Sequence, residues 1–157
     1  MDLHFSFKGR ISRAQFWFGL IVLLIVSVII GFVIAVSSTT LGLEHYFKNT
    51  ILVNVVFMLL LAYPMSALMV KRLHDRDRPT WLVAVFWMPT ILSILGNILG
   101  ITFKKADIGG KMFDIPTSTG WFVIGLMFVI GIWSLVELGG LKGTPDKNQH
   151  GPVPLNQ

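Results

Sequence analysis

The sequence predicts an all-α integral membrane protein, a four-helix transmembrane bundle with both termini in the cytoplasm. Three observations carry this: four long apolar runs, a shortage of charge, and basic residues gathered beside alternate connections. Of 157 residues, 54% are hydrophobic and 13% charged, with a mean hydropathy of +0.71. Soluble domains carry about 25% charged residues, so an ordinary water-facing surface is excluded. The length suits one membrane domain over 1–157 rather than several.

The runs are 16–36, 51–70, 81–101 and 121–138. At 1.5 Å rise per residue they reach about 32, 30, 32 and 27 Å, against a hydrocarbon core of about 30 Å. Backbone polar groups have no water to bond inside lipid, so helices are expected despite the many Val and Ile residues. Glu137 is the one charge in these runs, close to an end. The first run could be read as a signal peptide behind Lys8, Arg10 and Arg13. Its uninterrupted length exceeds the roughly 7–15 residues of a signal core, and it is expected to stay as a helix.

Orientation follows from Lys and Arg. Segments 1–15, 71–80 and 139–157 hold nine, and the two other connections hold four, Lys48, Lys104, Lys105 and Lys111. The positive-inside rule puts the nine in the cytoplasm. Lys104 and Lys105 run against that rule. Trp17, Trp81 and Trp121 fit aromatic anchoring at the interfaces.

Local signals refine the elements. Ser12-Arg13-Ala14-Gln15 has capping-box spacing and starts the first helix at Ser12. Pro64 and Pro89 should kink helices two and three, and Pro79 closes the second connection. Gly109-Gly110 between short mixed runs is a hairpin signal. Gly96 and Gly100 form a GxxxG, and Ser27, Gly31 and Ala35 a small-residue ridge; both are expected to pack helices within the chain, with dimerisation the alternative. Asn54 and Asn97 would lie at similar depth and bond as amides, or else line a pathway.

The chain has no cysteine, which excludes disulfides, thiolate metal sites and cysteine nucleophiles. Its net charge is +5, but the basic residues flank apolar runs, so topology explains them and no nucleic-acid partner is expected. The densest polar cluster is Lys71-Arg72-Leu73-His74-Asp75-Arg76-Asp77-Arg78. On a continued helix, Lys71 and Arg72 both reach Asp75 at i,i+4 and i,i+3. Arg10 and Arg13 would join it in a basic belt at headgroup level. Three readings stay open: a topology determinant, an anionic-headgroup surface, or an acid/base pair of His74 and Asp75. His4, His74 and His150 share a side with Asp75 but lack ligand spacing, so no metal is expected.

Three blocks carry a family resemblance. They are Phe7-Lys8-Gly9-Arg10-Ile11-Ser12-Arg13 with Phe16-Trp17, then Lys71-Arg72-Leu73-His74-Asp75 with Trp81, then Gly143, Asn148, Gly151-Pro152 and Pro154. Together they resemble the bacterial inner-membrane family catalogued as domain of unknown function 805. Thr144-Pro145-Asp146-Lys147 interrupts the usual glycine-rich run, His150 stands where an aromatic is common, and Pro79-Thr80 replaces a usual Ser-Gly. The resemblance implies a small multi-helix protein of the bacterial plasma membrane and brings no activity, substrate or cofactor.

All three blocks fall on the side assigned to the cytoplasm. The candidate set is therefore Arg10, Arg13, Lys71, Arg72, His74 and Asp75, a surface for an anionic phospholipid, a partner protein or a second copy of the chain. No catalytic residue is assigned. A transporter or channel using Pro64, Pro89, Asn54 and Asn97, and an enzyme using His74 and Asp75, are the alternatives.

Overall fold

A computed structural model describes residues 5–40 and 50–154. The protein is mostly helical: α1 (Arg13–Thr40), α2 (Thr50–Asp75), α3 (Leu82–Ile98), β1 (Phe103–Ile108), β2 (Lys111–Pro116) and α4 (Ser118–Leu135), followed by a π-helical turn, Val136–Gly140. It divides into two units, residues 1–80 with 137–157, and residues 81–136. His4, Lys48 and the Asn54 side chain lie outside the described residues.

In the first unit α1 packs against α2. The capping box is present as the sequence predicts. The Ser12 hydroxyl accepts from the Gln15 amide at 3.3 Å, and the Gln15 side chain accepts from the Ser12 amide at 2.9 Å. Along α1 a broad apolar surface, including Leu24, Val28 and Phe32, stays exposed, as a lipid-facing helix requires. A Cβ on Gly31 of the small-residue ridge would meet no atom of the described residues within 4 Å. Among the described residues the expected ridge contact is not made at that glycine.

α2 runs unbroken through Pro64 and on through the charged cluster to Asp75. It closes with a Schellman motif: Arg78 N–H donates to the Leu73 carbonyl at 2.9 Å and Asp77 N–H to that of His74 at 3.2 Å. Asp77 takes the left-handed position that aspartate tolerates, with φ +53°.

In the second unit α3 packs against α4. Among the described residues three helices have the length and apolarity to cross a bilayer, within Arg13–Ser37, Val55–Asp75 and Ser118–Gly140. α3 has 17 residues, fewer than its apolar run, because Gly100 stops it. Gly100 adopts φ +68°. Ile101 N–H then reaches the Gly96 carbonyl at 2.9 Å, and Gly100 N–H that of Asn97 at 3.1 Å, a second Schellman motif. The GxxxG therefore works locally rather than between helices. Gly100 reverses the chain, and Gly96 leaves room for the Thr102 side chain folded back on it.

The predicted hairpin forms across Gly109-Gly110, with Phe103 opposite Pro116 and Ile108 opposite Lys111. Both turn glycines have positive φ, +64° and +81°, the type I′ geometry that matches strand twist. Thr117 caps α4 by accepting from Gly120 N–H at 3.1 Å, while Thr117 N–H donates to the Thr102 carbonyl at 2.9 Å. A Cβ on Gly120 would fall on that carbonyl oxygen. Gly120→Ala is therefore expected to destabilise by about 1–3 kcal/mol. Gly125→Ala, with nothing within 4 Å, serves as its control in thermal unfolding in detergent, and equal melting of the two would refute the contact.

Candidate functional site

The predicted candidate residues converge in the first unit, where the stretch before α1, the end of α2 and the segment 137–151 meet. They do so mostly by burial. Asp75 and Arg72 have 0% exposure and Arg10 has 4%. Lys71, Leu73 and Ile11 are buried with them.

Asp75 is the centre. The helical wheel predicts Lys71 and Arg72 as its cations; the structure shows Arg72 on it and adds Arg10 from the stretch before α1. Arg10 donates Nε and Nη2 to Asp75 Oδ1 at 3.0 and 2.9 Å, a forked pairing on one oxygen. Arg72 Nη1 pairs with Oδ2. The remaining donors of Arg10 reach the carbonyls of Thr144 and Asp146, both at 2.8 Å. The Thr144 amide donates to the Asp75 carbonyl at 2.8 Å, and Asn148 Nδ2 to that of His74 at 2.8 Å. The tail thus satisfies carbonyls that the end of α2 leaves open.

The reciprocal arrangement serves the segment after α4. Five consecutive carbonyls, 137–141, each accept a side-chain donor: Arg76 on Glu137, Arg72 Nε on Leu138, Trp17 on Gly139, Arg13 on Gly140 and Arg72 Nη2 on Leu141. A helix end carries partial negative charge and unpaired carbonyls, so three arginines and an indole suit it. Glu137 is also buried and pairs with Arg76, and with Arg78 at 3.4 Å. Sequence reasoning omitted Glu137, Arg76 and Arg78 from the candidate set. The available signal was a lone acid at the end of one run on the same side as four basic residues.

His74 and Asp75 do not face each other as a dyad. His74 Nδ1 lies 3.2 Å from the Gly9 carbonyl, and a carbonyl only accepts, so that nitrogen carries hydrogen. Its ring stacks on His150, centroids 3.7 Å apart and planes 7° apart. Parallel rings do not converge on a common ion, and no group of three metal-ligating side chains occurs among the described residues.

Beside this cluster opens a cleft of about 390 Å³, lined by Arg13, Arg72, Asp75, Lys142, Gly143 and Pro145. Three cations face one carboxylate there, and Asp75 is further matched by Arg10 from behind. Lys142 is exposed and Arg13 half-buried. The cleft is therefore electropositive, with Asp75 as part of its lining.

The model of the family described as "Protein of unknown function (DUF805)" matches residues 4–152. The uncharacterized protein YiiR of Escherichia coli K12 is 32% identical over 152 residues, covering 94% of this chain and 84% of that protein. The inner membrane proteins YhaH and YhaI of the same strain are each 30% identical over 86 residues, 55% of this chain, covering 67% and 65% of their own lengths. No solved structure matches.

Proposed function

This chain belongs to the DUF805 family, and we propose that it is a non-enzymatic, four-crossing protein of the bacterial inner membrane whose cytoplasmic cleft holds an anionic phospholipid headgroup. Location is supported by its kinship with proteins named as inner membrane proteins. Nine of thirteen Lys and Arg residues in segments 1–15, 71–80 and 139–157 support cytoplasmic termini. α3, with 17 residues, reaches about 26 Å, a mismatch that local thinning of the bilayer accommodates.

The observation that carries the reading is the cleft formed by Arg13, Arg72 and Lys142. Its volume lies within the usual range of about 300–1,000 Å³ for small-ligand sites. Its cations differ in commitment. Arg72 is held by Asp75 and the carbonyls of Ile11, Leu138 and Leu141, so it orients the site. Arg13 donates one bond, at 3.3 Å to Gly140, and with Lys142 forms the mouth. The enzyme reading is weaker because Asp75 is engaged by two guanidinium groups and His74 faces a carbonyl and another ring. Among the described residues nothing favours the transporter reading, and the Asn54 side chain it would use lies outside them.

Each basic residue near an anionic membrane contributes about 1 kcal/mol, about fivefold in affinity. Arg13→Ala and Lys142→Ala are each expected to lower retention of phosphatidylglycerol in mild detergent by that factor, Lys142→Ala with unchanged melting and Arg13→Ala with the loss of its bond to Gly140 as well. Phosphatidylcholine is the uncharged comparison. Equal retention of both lipids by the unaltered protein would overturn the proposal.

A further inference from the structure

The hairpin in the second unit has two chemically different faces. Cross-strand partners share a face, so register assigns Lys104 with Ile115, Ala106 with Phe113 and Ile108 with Lys111 to one side. The other side carries Phe103 with Pro116, Lys105 with Asp114 and Asp107 with Met112. The first side is apolar through its middle, yet Ile108 and Phe113 are 58% and 46% exposed. Its only charges are Lys104 and Lys111, one toward each end. On the second side Lys105 and Asp114 neutralise each other at 3.1 Å. Asp107 turns to the loop and accepts from Gly110 N–H at 2.9 Å. Positive charge is thus left over on the apolar side alone.

Lysine stems lie along apolar surface while their ammonium groups reach outward, and anionic lipid headgroups attract such groups at the interface. Apolar residues framed by lysines form the surface that an anionic membrane complements. The hairpin is also tethered to lipid by short connections. Four residues separate Ile98 of α3 from Phe103, and one separates Pro116 from Ser118 of α4. The exposed Trp121 and Phe122 follow within the first turns of α4.

We propose that the hairpin β1–β2 lies in the membrane interface, with Ala106, Ile108, Phe113 and Ile115 in the headgroup–acyl boundary and Lys104 and Lys111 on lipid phosphates. Lys105, Asp107 and Asp114 face water. This surface shares no residue with the cytoplasmic cleft and stands whether or not that cleft binds lipid. It also gives a physical reason for lysines on the side where the positive-inside rule disfavours them.

The native chain has no cysteine, so single substitutions give clean reporters. Ile108→Cys and Phe113→Cys on one face, and Lys105→Cys and Asp107→Cys on the other, are spin-labelled in the full-length protein. The protein is reconstituted in vesicles of phosphatidylglycerol and phosphatidylcholine. Collisions with lipid-soluble oxygen and with a water-soluble nickel chelate report depth. Labels at Ile108 and Phe113 are expected about 5–10 Å below the headgroup surface, and those at Lys105 and Asp107 in water. Equal water exposure of both faces overturns the proposal. So does shielding of the apolar face from both reagents, the signature of a second copy or a protein partner.

Discussion

Asp75→Ala is expected to cost the folded protein about 3–5 kcal/mol, because it leaves buried guanidinium groups without their counter-charge. Arg10 and Arg72 side chains are each 1% exposed and cannot recover the loss from water. Whole domains are stable by only about 5–15 kcal/mol, so the variant should accumulate poorly in the membrane. Asp75→Asn keeps the volume and one acceptor and should be less damaging. Adding Arg10→Met to Asp75→Ala should restore part of the loss by removing a stranded charge, a coupling that a double-mutant cycle reads. Thermal unfolding in detergent and proteolysis of the tail after residue 141 are the measurements. An exposed pair would contribute about 0–1 kcal/mol, and a loss that small would remove Asp75 from the centre of the fold.

What could be foreseen here divides by range and by chemistry. The capping box of Ser12 and Gln15 and the Arg72–Asp75 pair are legible because helix geometry places residues three apart together. The Arg10–Asp75 pair joins positions 65 apart, and nothing in helical spacing ranks Arg10 above Lys71. The carbonyls of 137–141 are less legible still, since a backbone acceptor leaves no mark in the sequence. Only their donors are visible, as surplus arginines that also fit a topology determinant. Gly100 shows the opposite difficulty. A glycine four residues after another satisfies both a helix-packing motif and a helix stop, and only the path of the following chain decides between them. His150, by contrast, departs in identity from the aromatic that the resemblance implies, while it places a ring stacked on His74.

Burial changes what the distinctive residues mean. Four of the six candidates, Arg10, Lys71, Arg72 and Asp75, are buried, so most of the conspicuous charge joins segments of one unit. Among the cations that line the cleft, that leaves Arg13 and Lys142 to meet a ligand. Their positions depend on the buried pairs beneath them, because Lys142 directly follows Leu141, whose carbonyl Arg72 holds. Binding and stability are therefore coupled in Arg72 and separable in Lys142.

Gly143→Ala is expected to disrupt the same centre from the opposite side. A Cβ on Gly143 would fall on Asp75 Oδ2 and within 2.9 Å of Oδ1. The carboxylate cannot rotate away, because Arg10 holds one oxygen and Arg72 the other. Nor can the tail withdraw freely, because the Thr144 amide and hydroxyl both donate to the Asp75 carbonyl, at 2.8 and 3.1 Å. Overpacking usually costs about 1–3 kcal/mol, and a site fixed on both sides should reach the upper part of that range. The penalty should shrink sharply when Asp75→Ala is already present, since the obstructing oxygens are gone. Such strong non-additivity marks two residues in contact. Simple addition of the two losses would mean that Gly143 acts elsewhere, and near-native melting of Gly143→Ala alone would deny the contact.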